Sequence, residues 1–436
     1  MKYISEVCKL LCISFFLLTS GVHAQSLSLQ EFVTRVKAEN VALKISSTAI
    51  DLAKEDSKIA RSTVLPNVEI SGNFRRDLNK NYLFINDPSG GLVRLRTNFN
   101  NSINASAVLN QTLFNAKIFD ALKLVKLSEE LTVLNHLNQV KDVEANASTM
   151  YWQAVLLKES VNVLNENSLL AKSQYEQLQK LFDKGVASQL ELQKFEILYK
   201  KTIPELHRTK NKYAAILNEL KLIANIDLSS DLQLRDDLKT LHEALNFSQL
   251  KVEIDNQTQL KILEKEVEIS EKEIYAKRKF WFPKLDLAAA YDFNSQDNNF
   301  RFNKNKNKLF FAQIGINIPI FSGGKHKAEI NKARIKKDIA EQNYLQTKSV
   351  LHKNLENAIH NYNTAVDNIQ LYRETVVLAL KELNILEKQL QLGVITSTDL
   401  KESRVRLKQA KLDELNSYLD LHIAKIQIQR ITTANQ

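Results

Sequence analysis

The chain is short of thiols, of helix breakers, of long apolar runs and of charge of a single sign, and each shortage removes a class of protein. Its only cysteines, Cys8 and Cys12, fall in the first 24 residues. Those residues carry Lys2 and Lys9, an apolar run from Leu10 to Leu18 and a small-residue close at Val22-His23-Ala24, so they read as a secretory signal cleaved before Gln25. The apolar run is well short of the roughly 20 residues that span a bilayer. Cys12 is followed by further apolar sequence, which argues against a lipid-anchored cysteine. A mature chain without thiols has no disulfide framework, no cysteine-based metal site and no cysteine nucleophile. Nine glycines and five prolines in 436 residues, with abundant Leu, Lys, Glu, Gln and Asn, favour long helices. No run of about 18 apolar residues follows the signal, so a membrane passage requires strands closed into a barrel. Removal of the signal lowers the formal charge from +10 to +9, and acids and bases alternate throughout. That pattern marks solvated helix surfaces, not a nucleic-acid partner.

Catalytic constellations are also missing. His136, His207, His242, His326, His352, His360 and His422 show no ligand spacing such as His-Glu-x-x-His, and are read as surface histidines. His352 and His360 share a helix face only loosely. No glycine-rich phosphate loop occurs, and Met150 is the sole mature methionine, so a thioether relay is absent. The expectation is a non-enzyme with no metal and no cofactor.

What is present is written twice. Leu178 to Leu192, with Gly185, Val186 and Glu191, matches Leu386 to Leu400, with Gly393, Val394 and Asp399, at a spacing of 208 residues. Thr112-Leu113-Phe114-Asn115-Ala116-Lys117 matches Pro319 to Lys325, and Leu65-Pro66 matches Phe282-Pro283. The repeats are read as 25–226 and 247–436, with a polar, irregular linker at 227–246. Each opens with a helix, near Leu29 to Thr63 and near Phe247 to Phe280, ended by a proline.

Strands follow near 67–77, 99–112, 284–294 and 309–319. Val68, Ile70, Gly72 and Phe74 alternate with Asn67, Glu69, Ser71 and Asn73, and the other three show the same period of two. Their length suits a transmembrane strand. The segments Leu78 to Asn98 and Ser295 to Lys308 are read as polar loops at the solvent end. Phe280, Trp281 and Phe282 at a strand entrance suit an interfacial aromatic girdle in contact with outer-membrane lipid. Four strands cannot close a barrel alone, so several chains must combine.

From about Lys117 to Phe182 and from Lys325 to Gln391 no breaker occurs, giving helices of about 100 Å at 1.5 Å per residue. In the second, Leu355, Ile359, Tyr362, Val366, Ile369, Arg373, Val376, Leu380, Leu383, Glu387 and Leu390 keep a 4-3 spacing, the seam of a left-handed coiled coil. Return helices run to about Asn225, interrupted near Pro204, and to about Arg430. The hairpin tips lie near 183–191 and 391–400.

A twofold order of helix, two strands, very long helix, Gly-Val turn and return helix resembles the TolC family of outer-membrane efflux proteins over essentially the whole mature chain. The resemblance implies a mainly helical protomer with a membrane β-barrel portion, four strands each. Three protomers would close a twelve-stranded barrel above a helical tunnel through the periplasm. It implies an outer-membrane exit duct for efflux or type I secretion that works with a periplasmic adaptor and an inner-membrane pump. It places Asp399 and Glu402 at an acidic pore constriction, with Glu191 and Lys194 at the matching positions of the first repeat as further gate residues that link its tip electrostatically to the second hairpin. It makes the tips Gly185-Val186 and Gly393-Val394 the adaptor-docking points. The plainer readings are solvation for the charges and turn chemistry for the glycines. Where the best-known member holds its tip closed with a tyrosine and an arginine, this chain has Leu390 and Ile395. The alternative is a periplasmic coiled-coil adaptor or scaffold outside any membrane, which explains the heptads and signal but not four symmetric amphipathic strands.

Overall fold

A computed structural model describes residues 25–86, 88–240, 254–391 and 397–432. The expected signal peptide lies outside them, as do 241–253 and 392–396, which include Gly393, Val394 and Ile395. The described residues form two compact units, one within 49–133 and 262–344, the other of the remaining described residues.

The element order repeats as the sequence pattern requires. The first half runs β1 (Gln25–Leu27), α1 (Leu29–Glu39), α2 (Val41–Ser62), β2 (Asn67–Arg76), β3 (Tyr82–Asn86), β4 (Leu92–Arg96), β5 (Asn101–Asn115), α3 (Ala116–Asp183) and α4 (Gln189–Ile223). After β6 (Leu232–Leu234) the second half runs α5 (Thr258–Arg278), β7 (Lys284–Asp297), β8 (Lys306–Asn317), α6 (Lys325–Gln391) and α7 (Ser397–Thr432).

In the strand-bearing unit β2, β5, β7 and β8 form one antiparallel sheet in that order. The register settles its two faces. Val68, Leu109, Ala289 and Ala312 share one row, and Ile70, Ala107, Tyr291 and Phe310 another. The opposite face carries the rows of Ser71, Ser106, Asp292 and Leu309, and of Asn73, Asn104, Asn294 and Asn307. The predicted apolar face is thus continuous across all four strands. The polar face is knitted by Ser106 donating to Asp292 at 2.5 Å and Asn104 donating to Asn73 at 2.9 Å. The outer edges of β2 and β8 have no strand beside them among the described residues, and every residue of both strands is exposed.

The helical unit has a core built on Phe32, Tyr151, Trp152, Leu220 and Tyr418. Each such side chain contributes about 1.5–3 kcal/mol by leaving water. Tyr151 donates to Leu27 O at 2.8 Å, tying α3 to β1, and β1 pairs in parallel with β6.

Several expectations need correction. The first helix is broken at Asn40, whose side-chain oxygen accepts from Ala42 and Leu43 and caps α2. Pro204 interrupts nothing: α4 runs through it, losing one backbone bond beside the buried Thr202, which donates to Ser168 at 2.9 Å. The linker is not irregular throughout, because β6 lies in it. The segment 78–98 holds the hairpin β3–β4, whose runs Tyr-Leu-Phe-Ile and Leu-Val-Arg-Leu flank Pro88-Ser89-Gly90-Gly91. That is a recognisable hairpin pattern. His326 and His422 are buried, not surface, residues: His326 stacks on Phe280 at 4.4 Å and His422 on Trp152 at 3.7 Å.

The seam of α6 also differs. Leu351, Leu355, Ala358, Ala365, Ile369, Ala379 and Leu383 are buried, whereas Val366 is 44% exposed and Leu380 39%. Three positions of the seam, 358, 365 and 379, are therefore alanines, each one residue before the larger side chain of the expected heptad. Small residues allow the helices closer approach, and Val366 and Leu380 flank the contact instead of filling it.

Candidate functional site: the two hairpin tips

The first tip is built by a helix stop and a helix start. Gly185 has φ +72°, a conformation that favours glycine, and Val186 N donates to Leu181 O at 2.9 Å across the last turn of α3. Ser188 then caps α4: Glu191 N donates to its Oγ at 3.2 Å, and Ser188 N donates to the Glu191 carboxylate at 3.3 Å. Glu191 has a complete local task as the far half of a capping box, the same device that Ser28 and Glu31 use at α1. Lys194, one turn on, is exposed, and so is Val186.

In the second tip the described residues resume at Ser397. Asp399 lies in the first turn of α7, and Glu402 follows at i+3 on the same face. Glu402 is exposed and lies 3.7 Å from Arg406, which also pairs with Glu382 of α6 at 2.5 Å. These carboxylates hold the Arg406 guanidinium above its ordinary pKa. Leu400 and Leu407 turn the opposite way and pack on Ala379 and Leu383. The structure thus brings Asp399 and Glu402 together on an outward face of one helix.

Sequence reasoning missed two features here. The hairpins are tied by Lys408 to Glu205 at 2.9 Å and by Lys411 to Glu166 at 3.0 Å. Arg404 is buried and donates to Glu387 of α6 at 2.9 Å. The signal for the ties was available, since a lysine at i+3 from another on α7 meets acids on both helices of the first hairpin. No group of three or more His, Cys, Asp or Glu fit to hold a metal occurs among the described residues. The aromatic trio sits where α5 gives way to β7: Phe280 meets Trp281 edge-on at 5.1 Å, and Trp281 and Phe282 are both exposed.

A family profile described as outer membrane efflux protein matches residues 33–225 and 250–434, which is nearly all of both halves. The chain belongs to the outer membrane efflux protein family. It is accordingly an efflux channel of the outer membrane that extends into the periplasm, and the scaffold alternative is set aside. Among this family's curated members, the chain is 22% identical to the outer membrane protein TolC of Escherichia coli over 96% of its own length and 85% of that protein's. It is also 22% identical to the probable efflux pump outer membrane protein TtgC of Pseudomonas putida, over 91% of its length and 82% of that protein's. Solved channels share the fold. CmeC of Campylobacter jejuni superposes with a TM-score of 0.78 at 18% identity, covering 93% of this chain and 85% of that one. MtrE of Neisseria gonorrhoeae, in its open state, gives 0.75 at 14% identity, covering 93% and 88%. The role of this family is transport.

Proposed function

We propose that three copies of the chain assemble into one duct, with β8 of each sheet meeting β2 of the next in a twelve-stranded barrel. The observation that carries this reading is the open sheet. An unpaired strand edge in hydrocarbon leaves backbone groups unsatisfied at several kcal/mol each, and both edge strands here are fully exposed with an apolar face already aligned. Helix α2 adds a second bare surface, because Val41, Ile45, Leu52 and Ile59 recur at heptad spacing and are all exposed. The division into a signal peptide 1–24, repeats 25–226 and 247–436 and a linker 227–246 belongs to the same reading.

At the periplasmic end, Asp399 and Glu402 of three chains form stacked acidic rings that favour cations and narrow the pore. Glu191 serves the first hairpin as a cap, and Lys194 offsets its charge. The tips at Gly185-Val186 and Gly393-Val394 receive a periplasmic adaptor, which links the duct to an inner-membrane pump. Phe280, Trp281 and Phe282 sit at the lipid interface. Closure without a tyrosine and an arginine at Leu390 and Ile395 rests on the Lys408–Glu205 and Lys411–Glu166 ties.

Native mass measurement of detergent-extracted outer membrane protein tests the assembly. A trimer that Lys substitutions at Ile70 and Phe310 split into monomers supports barrel closure between chains. A stable monomer that conducts ions in a planar bilayer contradicts it.

A further inference from the structure

Below the tip of the second hairpin, α3, α4 and α7 line a partly open cavity of about 250 Å³. Its lining is cationic. Lys401, Arg404 and Lys408 fall at i, i+3 and i+7 on one face of α7, and Lys201 faces them from α4. The only acid in the lining is Glu205, which is engaged by Lys408 at 2.9 Å.

Arg404 is the unusual member. It is 7% exposed, and although one nitrogen donates to Glu387, neither Nε nor Nη1 has an acceptor. A guanidinium stays charged at any physiological pH, so burial cannot be relieved by losing a proton. Buried N–H groups of a charged side chain are costly to leave unmatched, and native proteins match them with protein, water or ligand. A carboxylate or phosphate supplies what is missing, namely negative charge and several acceptor oxygens in a small volume. The lysines add further positive charge around the same space, and both Lys201 and Lys401 are exposed and make no ion pair among the described residues.

We infer that this cavity is a binding site for a small oxyanion, held by Arg404 and flanked by Lys201 and Lys401. An ion there contacts α4 of the first hairpin and α7 of the second, so its binding stiffens the join between the hairpins. The inference does not depend on the acidic rings or on trimer closure.

Thermal unfolding of the full-length protein purified in detergent tests it, with sodium phosphate or sodium acetate titrated against sodium chloride at fixed pH and ionic strength. The expected result is a saturable rise in the unfolding temperature with at least one of the two anions and not with chloride. Phosphate alone would assign the site to a tetrahedral oxyanion, acetate alone to a carboxylate, and both to either. The rise should vanish in Arg404→Gln. In Lys201→Gln/Lys401→Gln, whose exposed side chains leave folding intact, the midpoint concentration should increase at least about tenfold. Should Arg404→Gln fail to fold, the lysine variant decides alone. No rise with either anion, or the same midpoint in wild type and the lysine variant, overturns the proposal.

Discussion

The two hairpins are copies of one pattern, yet they use their first-turn acids differently. In the first, Glu191 closes a capping box with Ser188, and the residue one turn on is Lys194, so the tip carries no net charge from the pair. In the second, Asp399 is followed by Glu402, and two carboxylates stand on one helix face. An acid in the first turn is what a helix N-terminus favours in any protein, through its orphan N–H groups and dipole. The residue at 191 or 399 alone therefore does not separate a cap from a gate. The proposed gate rests on the residue three positions later, Lys194 in the first hairpin and Glu402 in the second.

That contrast can be sharpened by substitution. The largest effects should fall on packing and treat both hairpins alike. Leu383→Ala in the second and Phe195→Ala in the first each remove a buried side chain and should lower stability by about 2–5 kcal/mol in chemical denaturation. Leu380→Ala, off the seam, should change it by no more than about 0.5 kcal/mol; a large loss there would restore the regular heptad.

Next comes a substitution with no counterpart in the first hairpin. Glu387→Gln leaves Arg404 buried without its carboxylate and should cost about 2 kcal/mol, below the range for a fully buried pair because Glu387 is 40% exposed. A smaller change is confined to the first tip. Gly185→Ala forces a side chain into a left-handed backbone and Ser188→Ala removes the cap, each for about 1 kcal/mol, with no change in ion selectivity.

The smallest effect near neutral pH should come from the titration of Tyr151, in the core away from both tips. Burial raises the pKa of its hydroxyl above the ordinary value. A raised folded-state value means that its contribution is full below about pH 10 and is lost as pH rises beyond that. The unfolding temperature of the wild type should fall there more steeply than that of Tyr151→Phe.

Most of the fold was legible because periodicity carries it. The strands alternate, the helices lack breakers, and the Gly-Val turns sit at equal spacing in both halves. The α6 seam was misread because the larger side chains, Val366 and Leu380, outrank alanine on any scale of hydrophobicity. Close helix approach, by contrast, selects Ala365 and Ala379. The Asn40 break was hidden because Asn40 interrupts the helix for a single residue and its side chain restarts it at once. The β3–β4 hairpin was obscured by the polar residues around it. At the site, Asp399 and Glu402 came from the family resemblance, and repeat alignment set Glu191 and Lys194 opposite them. The capping role of Glu191 was written in Ser188-Gln-Leu-Glu191, whereas the burial of Arg404 depends on how three helices meet and has no local signature.

The central claim, that the second hairpin carries the gate and the first does not, is tested most directly by single-channel conductance in planar bilayers with divalent cation added to the periplasmic side. Divalent block should weaken strongly in Asp399→Asn/Glu402→Gln and persist in Glu191→Gln. Equal loss of block in both variants, or block unchanged in the double variant, would contradict the account.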